Sequence, residues 1–578
     1  MTEIPIPHQP ADGGWGDPSA GRSPVHPSLS EAGRFLCAGT YLDAGYRDRV
    51  IDELYVHEER IVAPSYGYDA SRVLAHALRA RRAELGWAAG VLGAWFVGSL
   101  LTGGALAVLV VPFLLLSLAD WLRARNVPAL RVLSVALRIY VWWLLVTLLA
   151  VLGFGGFALL GVLDGMGGSA VTPFSPSGAD LTGAVAFWWL PVVFAAVVTV
   201  VGLQRGHVFR TIATDLAEGR YADHAGDPAE SFDGTRFQRI RQRIRAEQHA
   251  PMIMYDVNDP FCGAGDPYRP WQLSVELRPR EDLGPDRKPT PVTNAHIVQR
   301  IVPLLERLRV PSPHGSPEAA AAVGDRMREL VVDECVFLPA SGLPHRDTAQ
   351  VVHGQYAGQR AAAIEEGGER RRHFLRVRVG GWDENLVVTV FVRVHTQGGM
   401  MMLEVAPHVL LPVRTAFHNA DADAQRYRNN SGFGKAVWAL RNTPGSLAAS
   451  VATLGRGLAS WWRIATAGHG GARPEGPWVS VRDLASQDNG SLFHLMDLDR
   501  FLKTIQDRVV GGVTVALHEA GWHTEEFAQR AVNVAEGGVF IQSVNGSAFS
   551  VGGSNNTNTN TNTKRGGSAQ GGRSSGGN

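Results

Sequence analysis

The sequence is poor in lysine, in cysteine and in paired metal ligands, and one long stretch of it carries no charge at all. Only four of the 55 basic residues are lysines, Lys288, Lys435, Lys503 and Lys564. Arginine carries nearly all the positive charge, and against 54 acidic residues it leaves a formal net charge of +1. That balance excludes a global bias toward nucleic acid. The three cysteines, Cys37, Cys262 and Cys335, lie far apart. None forms a CxxC pair or has a histidine at ligand spacing, so neither a zinc site nor a disulfide framework is expected. No HExxH, GxSxG or paired Cys/His cluster occurs. No catalytic residue, metal ligand or cofactor is therefore assigned. Residues 1–28 lack the apolar core of a secretory signal and read as a Pro/Gly-rich arm without a core of its own.

What the chain has is a mean hydropathy of −0.03 that hides two populations. Residues 84–204 are strongly apolar and the rest has ordinary soluble composition. From Gly86 to Ala119 no residue is charged. One helix over that stretch would be about 50 Å long, against a hydrocarbon core of about 30 Å. Arg79, Arg81 and Arg82 precede it, and Arg123, Arg125 and Arg131 follow it. Positive charge marks the cytosolic side, so both ends should lie there. Thr102-Gly103-Gly104 supplies a turn at the midpoint, and Trp87 and Trp121 flank it as interfacial anchors. The expectation is a helical hairpin over 84–102 and 105–122, with a re-entrant wedge as the alternative. A third span is expected at 137–163, with Arg138 at its cytosolic start, and a fourth at 184–203. The loop between them contains Asp164 and Asp180 but no Lys or Arg, as an outside loop should. No ionisable group lies deep in any span, which argues against an ion-coupled path.

The rest divides into a juxtamembrane segment, 29–83, in which Asp69 caps a helix that continues into the first span, and about 370 residues after the last span. Within 205–430 the pattern alternates helices with strands at 252–257, 271–277, 374–379, 385–395 and 401–411. Part 431–553 reads as mainly helical. The Asn/Thr/Gly/Ser-rich tail, 554–578, has no residues able to form a core. The fold class expected is thus α-helical membrane hairpins, about four transmembrane helices, plus a cytosolic α+β domain with antiparallel strands.

Few motifs carry chemistry. "PFCGAGD" (260–266) follows a strand, and a Gly-x-Gly loop can turn backbone N–H groups toward a phosphate. The third glycine of a dinucleotide fingerprint would fall at Tyr268, so that motif fails. Asp256, Asp259, Phe261, Gly263, Gly265 and Trp271 remain as candidate ligand-binding residues, with a purely structural Gly-rich turn as the competing reading. "NNSGFGKA" (429–436) lacks the first glycine and the metal-binding hydroxyl of a P-loop. "HRD" (345–347) lacks every other kinase element. Asp333 and Glu334 are adjacent carboxylates that a strand would send to opposite faces. The stretch 445–468 is a small-residue helix with Trp461, Trp462, Arg456 and Arg463. It suits either the membrane interface, with Trp buried and Arg on headgroups, or a domain core.

The segments "RFLCAGTYLDAGY", "PFCGAG" and "GWHTEEFAQRAVNVAEGGVFIQSVNGSAFSVGG" give the chain a resemblance to multi-pass membrane proteins of high-GC Gram-positive bacteria with no assigned activity. The resemblance implies a membrane location and carries over no catalytic residue. The expectation is an integral plasma-membrane protein with both termini cytoplasmic. It would anchor a large cytosolic domain with an interaction, scaffold or sensing role. Its partners would be the lipid bilayer and proteins on the cytosolic side, with no nucleic acid. A small-solute transporter or channel, and a membrane-tethered nucleotide- or phosphate-binding enzyme, are the alternatives.

Overall fold

In a computed structural model, the described residues run from 27 to 537, except 103–105, 107–108, 126, 160–180, 225, 232–233, 284–287, 310–329, 366–367, 369, 382–384 and 467–472. The expected tail, nearly all of the expected arm, the glycines of the proposed hairpin turn and most of the acidic loop after the third span lie outside them.

A helical module comes first. The Ser30 hydroxyl accepts from Gly33 N to start α1 (Glu31–Leu42), and the Asp43 carboxylate accepts from Gly45 N and Tyr46 N to start α2 (Ala44–Ile51). Asp69 caps α3 (Ala70–Leu101), a single helix whose first three turns are buried in the module and whose remainder leaves it. The far end of α6 (Leu181–Thr214) returns Phe209, Ile212 and Leu216 to the same core, and α7 (Thr235–Glu247) adds Phe237, Ile240 and Ile244. Gly39 is needed here, because a Cβ at that position would lie 2.5 Å from the Phe417 ring. The buried charges are paired. Arg72, fully buried, donates to Asp227 Oδ2 (3.0 Å), Ser28 O (2.6 Å) and Tyr221 O (2.9 Å), and His76 Nε2 lies 3.1 Å from Asp227. Hydrogen bonds from His76 and the charge of Arg72 hold the Asp227 carboxyl far below its usual range in spite of its burial. Left single, any of these groups would be costly.

Among the described residues, three helices are long and apolar enough to cross a membrane: Ala70–Leu101, Pro128–Thr147 and Pro191–Thr214. Four were expected. The difference lies in α4 (Val110–Ala124), which has 15 residues and so reaches about 22 Å. α5 (Pro128–Leu159) begins nine residues before the expected 137, and α6 runs eleven residues past the expected 203. α3 and α6 pack antiparallel. Gly98 makes the close approach possible, since a Cβ there would lie 2.2 Å from Val193 Cγ1, and Trp87 meets His207 at 6.0 Å between ring centroids. Trp95 and Phe113 join α3 to α4 edge-to-face at 5.7 Å. The inner core of this bundle is Val91, Trp95, Leu106, Phe113, Val193, Val197 and Val201, joined by Leu447. Its outer surface is apolar as well: Phe96, Leu100, Val132, Ile139 and Trp142 are each about two-thirds exposed. Soluble domains rarely present so large an apolar area to water.

Seven strands follow: β1 (Met252–Tyr255), β2 (Asp266–Pro267), β3 (Trp271–Glu276), β4 (Val331–Pro339), β5 (Arg372–Gly381), β6 (Leu386–Gln397) and β7 (Met400–Leu410). The order is β1-β4-β5-β6-β7-β2, with β3 also on β7. The sheet is mixed, not wholly antiparallel, because β1 and β4 run parallel while the remaining pairs are antiparallel. A parallel pair needs a long crossover, and here the chain makes β2, β3 and α8 (Asn294–Glu306) between the two strands. β4 is the one long strand the sequence pattern did not reveal. It does send its two acids to opposite faces, Asp333 to Arg376 and Glu334 to Arg360 and His373.

One sheet face is covered by α8, α12 (Leu492–Glu519) and α13 (Glu525–Gly537), with Ile297, Ile301, Phe501, Ile505 and Phe527 packed on the β5–β7 valines. Two helices of the part read as mainly helical, α12 and α13, thus complete the core of the strands that precede them. Gly521, at φ +87°, ends α12: Trp522 N donates to Leu517 O and Gly521 N to His518 O. That pair of bonds is a Schellman cap, which asks for glycine. The other face carries Ile253, Cys335, Phe337, Phe374, Phe391 and Leu410. α9 (Tyr356–Glu365) lies beside β4 and β5, α10 (Ala420–Asn429) on α6, and α11 (Gly432–Thr466) on the bundle.

Candidate functional site: an aromatic cleft and a helix across the bundle

Alternate residues of a strand share a face. On the second sheet face, β1 contributes Tyr255 with Val257 just beyond it, β4 contributes Phe337 and Pro339, and β5 contributes Phe374 and Arg372 with Arg370 just before it. The register sets Tyr255 beside Pro339 and Phe337 beside Arg372. These residues line a cleft of about 660 Å³, closed on one side by Pro260 and Phe261 of the Gly-rich loop. Its floor is aromatic. Phe261 lies 4.8 Å from Phe391, 5.3 Å from Phe337 and 4.6 Å from the His408 ring. Its rim is basic, since Arg370 and Arg372 are both exposed. Tyr255 Oη donates to Arg370 O at 3.4 Å and ties the rim to β1.

The loop is held by its glycines. Gly263 has φ +94° and a Cβ there would lie 2.7 Å from Pro64 O; Gly265 has φ +90° and its Cβ would lie 2.1 Å from Val409 O. Both positions therefore demand glycine on two counts, backbone conformation and space. Asp256 accepts from Asn258 N at 2.8 Å, an Asx turn that shapes the start of the loop. Burial raises the Asp259 carboxyl, and the charges of Asp256 and Asp266 add to the shift. Burial, with Asp259, Asp483 and Glu53 around it, pushes the Cys262 thiol up, so it stays a thiol. Asp483 beneath the loop is pushed up to about 6, mainly by burial, against stabilising hydrogen bonds from Ser480 and the Gly263 N–H. The His408 imidazole is lowered to about 4 by burial and stays neutral.

Of the sequence candidates, Asp256, Asp259, Phe261, Gly263 and Gly265 come together in this loop. Phe261 lines the cleft, while the two glycines and Asp256 shape the backbone. Trp271 does not join them. It faces the α8/α12 side of the sheet and belongs to that core. Among the described residues no group of three His, Cys, Asp or Glu is arranged to hold a metal. Sequence reading missed Tyr255, Phe337, Phe374, Arg370 and Arg372. The alternation Arg370-x-Arg372-x-Phe374 was the available signal, hidden in a run of arginines.

The expected interfacial helix is α11. Gly457 packs on Leu85 of α3, where a Cβ would meet Cδ2 at 2.8 Å, and Ala439 faces Gly202 of α6, where a Cβ would lie 3.5 Å from the Ala439 Cβ. Those two α11 positions are roughly 25 Å apart along the helix. From the α3–α6 contacts above, Leu85 and Gly202 differ in level by only about 8 Å along that pair. α11 therefore lies across the bundle, not along it. Its polar side faces inward: Arg456 pairs with Asp48 at 3.5 Å, Arg463 with Asp52 at 3.6 Å, and Thr453 Oγ1 donates to Glu84 Oε1 at 3.3 Å. The arginines expected on headgroups are thus engaged with the helical module, each still about half exposed. The outward side is apolar, with Phe433, Leu440, Leu458, Trp461 and Trp462 exposed. Trp87 is half-buried against His207, and Trp121 is exposed with Arg125 stacked over its ring at 4.2 Å.

Strands β3–β7, the helices that cover them and α11 all fall within one matched region. Residues 270–550 match the family model of the AbeC-like domain. No curated protein and no solved structure is similar to the chain. The AbeC-like region runs from β3 through α13 and includes the crossing helix α11. It holds the β4 and β5 side of the cleft, while Tyr255, Val257 and the Gly-rich loop lie upstream of it.

Proposed function

We propose that the chain is an integral membrane protein of the plasma membrane that fixes its AbeC-like domain on the cytosolic membrane surface, as a platform for interaction or sensing by protein partners. The observation that carries this reading is α11. It belongs to the AbeC-like region, yet it lies across α3 and α6 with its charges turned into the helical module and its tryptophans turned out. An amphipathic helix in that position rests in the headgroup layer with its apolar side in the acyl boundary. The domain is therefore held at a set height and orientation, not hung on a flexible tether.

Four crossings fit the positive charges best. α4 reaches about 22 Å, and the long side chains of Arg123 and Arg125 at its end extend that reach enough to return the chain after α3. α5 then leads out and α6 back, and both termini lie in the cytosol. The test of the α11 reading uses Trp461→Cys carrying a nitroxide, in a chain whose three buried cysteines are replaced by alanine. In lipid nanodiscs the label should be relaxed more strongly by oxygen than by a water-soluble nickel chelate. The reverse preference would remove α11 from the membrane and with it this reading.

A further inference from the structure

We propose that the cleft between β1, β4, β5 and the Gly-rich loop is a binding site for a small organic anion with a flat aromatic body, its charge being a carboxylate or a phosphate. This does not depend on how the chain sits in the membrane. The floor of the cleft is a herringbone of rings: Phe337 stands at 74° to Phe374 and at 85° to Phe391, with Phe261 wedged among them. A planar ring extends such an array by the edge-to-face contacts that aromatic groups prefer. At about 660 Å³ the cleft has the size of an ordinary small-molecule site.

The rim supplies the charge preference. Arg372, at the start of β5 on the face of Phe374, and Arg370, just before the strand, both line the cleft and are exposed. Guanidinium donates in a planar fork that matches carboxylate and phosphate oxygens. Among the described residues that line the cleft, these two arginines are the charged ones. The wall is preformed. Gly263 and Gly265 fix the loop under Pro64 and Val409, and Phe261 is held by three rings and His408. Little ordering is then left for the ligand to cause, which favours affinity. The Ser341 hydroxyl at the β4 end is a further donor for a polar substituent.

The test is isothermal titration calorimetry on the full chain in nanodiscs, with naphthoate, adenosine monophosphate and the neutral naphthalenemethanol as probes. One of the two aromatic anions should bind saturably at one site, at least about tenfold tighter than the neutral alcohol. Saturation by naphthoate alone marks a carboxylate site, and by the nucleotide alone a phosphate site. Arg370→Gln with Arg372→Gln should weaken that binding by about tenfold or more. Both side chains are exposed, so folding should survive, as near-UV circular dichroism would show. Were it lost, the salt dependence of wild-type binding decides: affinity must fall as salt rises. No saturable binding of either anion, equal affinity for the neutral alcohol, or salt-independent binding overturns the proposal.

Discussion

At the scale of single residues, the two groups beneath the Gly-rich loop pull the stability of the sheet domain in opposite directions with pH. Asp483 has an ordinary carboxyl value near 3.8 when unfolded and about 6 when folded. Between those values the folded chain binds the extra proton, so the stabilisation is full below the lower value and is lost as pH rises through 6. His408 has its ordinary 6.5 when unfolded and about 4 when folded. There the unfolded chain binds the extra proton, and stability is lost as pH falls through that window. In wild type the two largely cancel between pH 4 and 6. Asp483→Asn removes the first without removing the hydrogen-bonding capacity toward Ser480 and Gly263. Urea unfolding of the variant should then show midpoints that rise with pH from 4 to 6.5, more steeply than in wild type. An unchanged slope would mean that Asp483 is ionised in the folded state throughout.

At the scale of elements, α11 is held by a small set of charges. Asp48 accepts from Arg81 at 2.5 Å and lies 3.5 Å from Arg456, while Glu84 is paired with Arg47. Asp48→Ala leaves two arginines without their carboxylate at the α2–α3–α11 junction. Loss of one partly buried partner of this kind costs about 1–3 kcal/mol. The cost should appear locally: amide exchange over 445–465 should speed up about tenfold or more, while β5–β7, which do not touch this junction, keep their protection. Equal loss of protection everywhere would show that α11 and the sheet unfold as one unit. The sequence revealed α11 as a small-residue helix with a Trp pair, because its composition is local. It did not show which side the arginines face, because Asp48 and Asp52 are some 400 positions away in the chain. β4 escaped notice for a related reason. "VVDECVFLP" is not a clean alternation, since both of its faces are buried and its acids are neutralised by Arg376, Arg360 and His373 of other elements.

At the scale of the whole molecule, the number of crossings decides which side the cleft is on. If α3 and α4 form a hairpin, the end of α3 lies at the outer surface. Leu101, more than half exposed there, becomes the reporter. Leu101→Cys in the cysteine-free chain should react on intact cells with a membrane-impermeant maleimide, and Ser431→Cys, just ahead of α11, should react only after lysis. Labelling of Ser431→Cys on intact cells would invert the topology. Protection of Leu101→Cys would make α3–α4 a re-entrant wedge and leave two crossings.

The sequence by itself determined the properties that are sums over neighbouring residues. The apolar region, the arginine clusters that bracket it, the helix over Asp69–Glu84 that continues into it, and most of the strands follow from local periodicity and charge. The "PFCGAG" glycines left a structural turn and a phosphate-binding loop both open, and only the fold shows that Gly263 and Gly265 stand where no side chain fits. Only the tertiary structure decided what long-range pairing decides. β1 and β4 lie parallel because the chain between them is long enough to cross over. Trp271, six residues past Gly265, faces the opposite side of the sheet from Phe261. Arg370 and Arg372, lost among neighbouring arginines, line the same cleft as Phe337 and Phe374, because the pairing of β4 with β5 brings those segments together. A side chain's type is written locally, but its neighbours are set by how distant strands and helices bury their apolar faces against each other.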